Sequence, residues 1–196
     1  MTANTHSFEA DTGKILNIVI NSLYSDRDIF LRELLSNASD AIHKRKLLGQ
    51  TQPEILNSDE DQILVAVDEK KKTVEIIDTG IGLNADDLTE TLGTIARSGT
   101  SSFLDSIEEA SDSKNAAKAL IGKFGVGFYS AFMVAEKVVV NTRKAGEVGA
   151  SIWESDGKAG YTITASNDEQ PVGTSIKLFL RKGAKEYAEM HKLKEL

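Results

Sequence analysis

Apolar residues recur at helical spacing in two stretches near the beginning of the chain. The first stretch, residues 12–23, places its isoleucines, leucines and valine on one side of a helix. The second begins after a cap at Ser25 or Asp26 and keeps the helical period to about residue 48, just before Gly49. The pattern therefore predicts two amphipathic helices, of which the second is the longer.

Later in the chain the pattern changes to short runs rich in β-branched residues. Residues 62–67 and 73–77 form two such runs, and the polar link between them predicts a β-hairpin. Four more short strands, separated by turn residues, are predicted over residues 137–142, 150–154, 161–165 and 175–180. Because short links join them, we expect consecutive strands to pair antiparallel.

Between the hairpin and the later strands the chain is rich in glycine. Residues 80–127 hold 7 of the 15 glycines and have no strand pattern. Asn84 can cap a short helix that runs to about residue 92, residues 94–123 are predicted to be mobile, and residues 128–134 are predicted to form a buried helix. Helices come first and strands mostly later. The fold class is therefore α+β, a two-layer sandwich of helices on a mixed, mainly antiparallel sheet, in one domain over residues 1–196.

Composition excludes several classes of function. The net charge of -7 and the pI near 5.1 argue against a nucleic-acid groove, which needs clustered lysine and arginine. The absence of cysteine excludes disulfides, thiolate metal sites and cysteine nucleophiles, and it suits a reducing compartment. Neither a secretory signal nor an apolar run of about 20 residues is visible. We therefore expect a cytoplasmic protein with no membrane partner. The basic run at residues 43–46 is interpreted as complementing the dipole at the end of the long helix.

Three polar side chains lie on one border of the long helix. Glu33, Asn37 and Asp40 fall within an arc of roughly 60°, since successive residues are about 100° apart. The neighbouring apolar arc is formed by Phe30, Leu31, Leu34, Leu35, Ala38, Ala41 and Ile42. The polar stripe is interpreted either as the margin of a solvated face or as the wall of a pocket.

A second candidate is the sequence Asp-Thr-Gly-Ile-Gly at residues 78–82, directly after a predicted strand. A carboxylate at a strand end, followed by glycines that let a flat ligand approach the backbone, is suited to accept a hydrogen bond from an exocyclic amine. A plain glycine-rich turn is the simpler alternative. Asp-Thr-Gly is also the aspartic-protease signature, although a single copy requires a dimer to supply the second carboxylate.

Two further segments could contact phosphate. Residues 122–128 form a glycine loop that runs into an apolar helix, and backbone amides at a helix N-terminus bind anions. Residues 92–100 carry Arg97, whose guanidinium can donate to phosphate oxygens, between two glycines that can act as hinges. Neither segment is specific by itself, because the loop matches neither the dinucleotide fingerprint nor a P-loop.

Taken in order, these motifs resemble the ATPase superfamily that includes gyrase B, sensor histidine kinases and MutL-type repair ATPases. Residues 36–41, 92–100 and 121–132 are similar, more specifically, to heat shock protein 90 chaperones of the bacterial high-temperature protein G type. The resemblance spans nearly the whole chain. It implies an N-terminal ATP-binding domain that uses ATP/ADP and Mg²⁺, with a mobile ATP lid at about residues 93–124.

The resemblance also implies roles for individual residues. Asp78 would accept the adenine amino group, helped by Gly82 and, through water, by Thr174. Leu92 would pack near the base. Asn37 would coordinate Mg²⁺ through its side-chain oxygen, and Glu33 would orient and deprotonate the attacking water. The remaining contacts would come from Asp40 by hydrogen bonding, from Arg97 in the lid, and from Gly122, Gly125, Val126, Gly127 and Phe128 around the phosphates.

Two departures from the family pattern concern the lid side. Thr91 stands where eukaryotic members have asparagine, and Arg97 replaces the usual lysine, which keeps the charge but changes its geometry. The resemblance covers neither the middle domain, which in the family supplies an arginine to the γ-phosphate, nor the C-terminal domain that forms the homodimer.

The implied function is Mg-ATP binding and hydrolysis that drive lid closure and the folding or remodelling of client proteins. Three alternatives remain at this point. A kinase or repair ATPase of the same superfamily is disfavoured because the lid segment does not match. A dimeric aspartic protease using Asp78 and a non-catalytic interaction module are the other two.

Overall fold

The computed structural model describes residues 4–7, 27–56, 60–93, 127–158, 160–166 and 169–196, the first of these ranges by its backbone pairing alone. The strands are β1 Asn4–Ser7, β2 Ile63–Asp68, β3 Thr73–Asp78, β4 Ala135–Arg143, β5 Ala150–Ser155, β6 Gly160–Ser166 and β7 Gly173–Leu180. The α-helices are α1 Ile29–Gly49, α2 Ala85–Leu92 and α3 Met190–Lys194, and 3₁₀ helices cover Pro53–Ile55, Gly127–Met133 and Lys182–Ala188.

The described strands form one sheet in the order β1-β6-β5-β4-β7-β3-β2, and every pairing among them is antiparallel. The predicted α+β sandwich is confirmed, although no parallel pair of a mixed sheet occurs in the described residues. All six predicted strands are present, while β1 and the C-terminal helices were not predicted. The expectation that consecutive strands pair is wrong for β6 and β7, because β7 lies between β4 and β3. Burial along most of β7 suits this central position.

Helix α1 packs its apolar arc against the sheet and the 3₁₀ helix Gly127–Met133. Five of the seven predicted core positions are buried, and Leu35 and Ala41 are half-buried. The segment predicted as a buried α-helix after Gly127 is buried at every position, but it is a 3₁₀ helix. The predicted caps Ser25 and Asp26 and the predicted helix 12–23 lie outside the described residues.

The N-terminus of α2 is capped by Asn84, as the sequence predicts, and Asp87 completes a capping box. The Asn84 side chain accepts a hydrogen bond from the Asp87 backbone at 2.9 Å, and the Asp87 carboxylate accepts one from the Asn84 backbone at 3.0 Å. Among the described helices, none has the length and apolar character needed to cross a bilayer.

The basic run at the end of α1 includes one side chain with a role that the helix-dipole interpretation missed. Arg45 is buried, and its guanidinium donates to the carbonyl oxygen of Ile55 at 2.6 Å and to that of Thr79 at 2.8 Å. These bonds tie α1 to the polar link before β2 and to the turn after β3. The helix-dipole interpretation is therefore incomplete for Arg45, because buried carbonyls need donors that the local sequence does not reveal.

Replacing Arg45 with methionine is expected to lower the free energy of unfolding by about 2–3 kcal/mol, because two carbonyls lose a charged donor. Urea denaturation measures this change. Lys46→Met is the matched control, since its ion pair with Asp61 is more exposed and a surface pair contributes about 1 kcal/mol or less. Equal losses in the two variants would contradict the bridging role of Arg45.

Candidate functional site

A cavity of about 240 Å³ lies between α1, α2 and the inner face of the sheet. Most of its lining is apolar, and its polar groups are confined to a few positions. The lining residues are Asn37, Ala38, Ala41, Asp78, Ile81, Gly82, Leu83, Thr91, Leu92, Phe128, Val140, Thr174 and Ile176. An apolar slot with few convergent polar groups is typical of small-molecule sites.

Asp78 supplies the acidic group of this cavity. It is the last residue of β3, it is 6% exposed, and its carboxylate accepts the backbone N–H of Gly80 at 2.8 Å. Burial raises the pKa of Asp78 to about 6, and hydrogen bonds from the backbones of Gly80 and Thr174 oppose that rise. At neutral pH the carboxylate is therefore mostly ionised and acts as a hydrogen-bond acceptor.

The turn after Asp78 requires a glycine at position 82. Gly82 has φ +67°, and a β-carbon there would lie 1.9 Å from the carbonyl oxygen of Arg143. The preceding residue, Ile81, donates to the Ala41 carbonyl at 3.1 Å and accepts from the Ala145 amide at 2.8 Å. The turn is thus fastened between α1 and the connection after β4, which fixes one wall of the cavity.

Helix α1 presents the polar stripe next to the cavity. Asn37 is exposed at its edge and lines it, whereas Glu33, one turn earlier, is half-buried and outside the lining. A Glu33 carboxylate oxygen lies 2.5 Å from where a β-carbon on Gly127 would be, so a larger residue at position 127 would displace this carboxylate. Asp40 is exposed and outside the lining.

Helix α2 and the 3₁₀ helix Gly127–Met133 close the apolar side. The Tyr129 hydroxyl donates to the carbonyl of Leu92 at 2.6 Å, and burial raises the pKa of Tyr129, which keeps it a donor. Phe128 packs edge-on against Trp153 with ring centroids 5.5 Å apart. The end of α2 is therefore anchored to a rigid aromatic cluster.

Comparison with known families shows which family the chain belongs to. The family described as histidine kinase-, DNA gyrase B-, and HSP90-like ATPase matches residues 24–172, which is more than half of the chain. The chain belongs to this ATPase family. The match includes α1, the turn after Asp78 and the glycine loop, so the family resemblance inferred from the motifs is confirmed.

Curated relatives within this ATPase family are bacterial chaperones named HtpG. The chain is 49% identical to the HtpG of Rickettsia massiliae over 197 aligned residues, which cover 100% of the chain and 31% of the relative. It is 51% identical to that of Roseobacter denitrificans, with 98% of the chain and 30% of the relative covered. It is 48% identical to the HtpG of Wolbachia pipientis wMel, with 96% of the chain and 30% of the relative covered. The chain spans about a third of the length of these relatives.

The predicted site residues of this ATPase domain fall into three groups. Asn37, Asp78, Gly82, Leu92, Phe128 and Thr174 line the one cavity. Glu33, Asp40 and Gly127 are described but lie outside its lining. Arg97, Gly122, Gly125 and Val126 lie outside the described residues, as does the predicted lid 93–124 except for Gly93.

Most of the apolar residues that line this cavity were not predicted from the sequence. Val140 and Ile176 occupy buried positions of β4 and β7, and their side chains point inward. The alternation of side chains along each strand could have identified them from the sequence. Ile81 and Leu83 flank the predicted Gly82 but were given no role. Their contribution depends on how the turn folds back, which local sequence does not show.

The described residues show what kind of metal site this part of the chain can form. They contain no group of three or more histidine or acidic side chains that could enclose a metal ion. Mg²⁺ usually binds through one or two protein oxygens, waters and substrate phosphates. A single amide oxygen at Asn37, beside the opening of the cavity, fits that type of site.

Proposed function

We propose that the chain binds ATP or ADP together with Mg²⁺ and hydrolyses ATP, as the nucleotide-binding domain of a chaperone related to HtpG. The observation that carries this proposal is that Asp78, at the buried end, and Asn37, at the exposed edge, line one cavity. A nucleotide with its purine at Asp78 and its phosphate chain at Asn37 would contact both side chains. Membership of the ATPase family supports the same assignment.

At the buried end, Asp78 accepts a hydrogen bond from the adenine amino group. Its ionised state at neutral pH and its restricted access to water make this bond stronger than a bond at the surface. Thr174, 9% exposed, helps through a water molecule, and the backbone at Gly82 lets the base approach closely. Leu92 packs near the base from the side of α2.

At the open end, Asn37 would hold Mg²⁺ through its side-chain oxygen, and the bound metal would supply charge neutralisation at the phosphates. Glu33 orients the attacking water and takes its proton. The position of Glu33 over Gly127 supports this role, because it places the carboxylate at the end of the proposed phosphate loop. Phe128 and the amide of Gly127 border the phosphates, and Asp40 supports the site by hydrogen bonding.

Roles outside the described residues follow from the family alone. They are phosphate contacts by Gly122, Gly125 and Val126, a charge contact by Arg97, and closure of a lid over residues 93–124. Thr91, which stands where eukaryotic members have asparagine, is in contrast among the described residues: it lines the cavity and donates its hydroxyl to the Asp87 carbonyl at 2.5 Å. That bond turns the Thr91 proton toward its own helix.

The chaperone relatives support a wider proposal for the whole protein. Its partners would be unfolded or partly folded client proteins, and it would form a homodimer through a C-terminal domain and act in the cytoplasm. The cysteine-free composition suits that compartment. Neither the aspartic protease nor the non-catalytic interaction module is supported, because the family that matches is one of ATPases.

A melting curve tests nucleotide binding directly. Mg-ATP at 100 times its dissociation constant should raise the free energy of unfolding by about 2.7 kcal/mol, because the ligand binds only the native state. Calorimetric scans of the 196-residue chain measure the shift. Mg²⁺ alone serves as the control, and the absence of any shift at millimolar Mg-ATP would overturn the proposal.

A further inference from the structure

A row of three polar residues crosses the sheet at the buried end of the cavity. Asp78 on β3 is paired with Thr174 on β7, and Thr174 is paired with Thr142 on β4. Asp78 and Thr174 line the cavity, whereas Thr142 lies behind them with no exposed surface. Thr142 therefore acts on a ligand only through its neighbours.

The hydrogen bonds of Thr142 use all the capacity of its hydroxyl group. The oxygen accepts the Leu83 backbone N–H at 2.9 Å, and the single proton goes to the Gly173 carbonyl at 3.0 Å, which can only accept. A third contact, at 3.1 Å, joins the Thr142 and Thr174 hydroxyls. Either hydroxyl could donate in that contact. We assign the Thr142 proton to the Gly173 carbonyl, which can only accept, and this assignment makes Thr174 the donor to Thr142.

This arrangement fixes the direction of the Thr174 hydroxyl. With its only proton turned toward Thr142, Thr174 presents lone pairs to the cavity that it lines. The ionised Asp78 beside it also only accepts. The buried end therefore offers acceptors from two neighbouring side chains and a donor from neither of them.

We infer that Thr142 is a positioning residue that sets the hydrogen-bond polarity of the buried end and thereby favours 6-amino over 6-oxo purine nucleotides. The inference rests on the proposed nucleotide function. A 6-amino group donates two hydrogens, which match the acceptors directly or through a water molecule. A 6-oxo group places an acceptor where the amino group donated, and the ring N1–H is then the one donor beside it. One of the two acceptors at the buried end is therefore left unpaired.

The test compares ATP with inosine triphosphate, which differs from ATP at the 6-position and in the protonation of the adjacent ring nitrogen. In Thr142→Val the Thr174 proton is released and can turn into the cavity as a donor. We expect the ratio of dissociation constants, inosine triphosphate over ATP, to fall by about tenfold, as expected for one reversed hydrogen bond. Calorimetric titration of the 196-residue chain measures both constants.

Two variants serve as controls for the hydroxyl and for the substitution. Thr142→Ser keeps the hydroxyl and should keep the ratio of the wild-type chain. Thr164→Val makes the same change in β6 at a half-buried position outside the cavity, and it should leave both constants unchanged. A purely structural role of Thr142 would weaken both nucleotides equally, because displacement of Leu83 affects either base.

A second variant keeps the test decisive if Thr142→Val does not fold. Thr174→Val removes the oriented acceptor itself, and it should lower the ratio by a similar factor. An unchanged ratio in Thr174→Val, or in folded Thr142→Val, would overturn the inference while ATP binding by the wild-type chain stands. Failure of the wild-type chain to bind ATP would instead overturn the proposed function.

Discussion

The variant Asp78→Asn is expected to bind Mg-ATP roughly 10- to 150-fold more weakly than the wild-type chain, since a hydrogen bond to a charged group contributes about 1.5–3 kcal/mol. Asparagine keeps the size of the side chain and can still accept the Gly80 N–H. It loses the charge that strengthens the bond to the adenine amino group. Isothermal titration calorimetry at neutral pH measures the dissociation constant.

Loss of binding in this variant can be separated from loss of folding. Burial raises the pKa of Asp78 from 3.8 to about 6, so the ionised carboxylate lowers native-state stability as pH rises through that window. Without nucleotide, Asp78→Asn should therefore be at least as stable as the wild-type chain at neutral pH. Asp86→Asn, an exposed position in the first turn of α2, is the matched control.

The pH dependence of binding gives an independent measurement of the same role. Adenosine lacks phosphates that titrate, and its affinity for the wild-type chain should fall as pH drops through about 6 and Asp78 takes up a proton. The asparagine variant should show no such change. An unchanged ATP affinity in Asp78→Asn would mean that the base is bound elsewhere.

The variant Glu33→Ala is expected to lose ATP turnover while keeping nearly all of its ATP affinity. Removal of a general base lowers the rate by roughly 10²- to 10⁴-fold, whereas Glu33 lies outside the lining of the cavity and contributes little to binding. The measurement is ATP hydrolysis by the full-length protein, with binding followed in parallel. The isolated chain should hydrolyse ATP very slowly in either form.

The control for Glu33 is Glu136→Ala, which removes an exposed carboxylate from β4. Its turnover should equal that of the wild-type protein. If hydrolysis continues at the wild-type rate in Glu33→Ala, the water is activated by another group. A parallel loss of ATP affinity would instead place Glu33 among the binding residues.

Local features of the sequence determined much of this fold. Alternation and β-branched residues identified six strands, and the helical period identified the buried face of α1, because both patterns depend on residues a few positions apart. The capping box at Asn84 and Asp87 is similarly local. The motifs around Asn37 and Asp78 identified the polar residues at the two ends of the cavity, because each motif lies within a few consecutive residues or one helical face.

Other features were decided only by the tertiary structure, because they join residues far apart in the chain. The insertion of β7 between β3 and β4 places Thr174 beside both Asp78 and Thr142. The spacing of the strands along the chain does not predict this strand order. Arg45 was predicted only to complement the dipole of α1, whereas in the fold its guanidinium donates to the Thr79 carbonyl, 34 positions away. Periodicity and short motifs specify which residues turn inward, whereas packing decides which buried donor meets which acceptor.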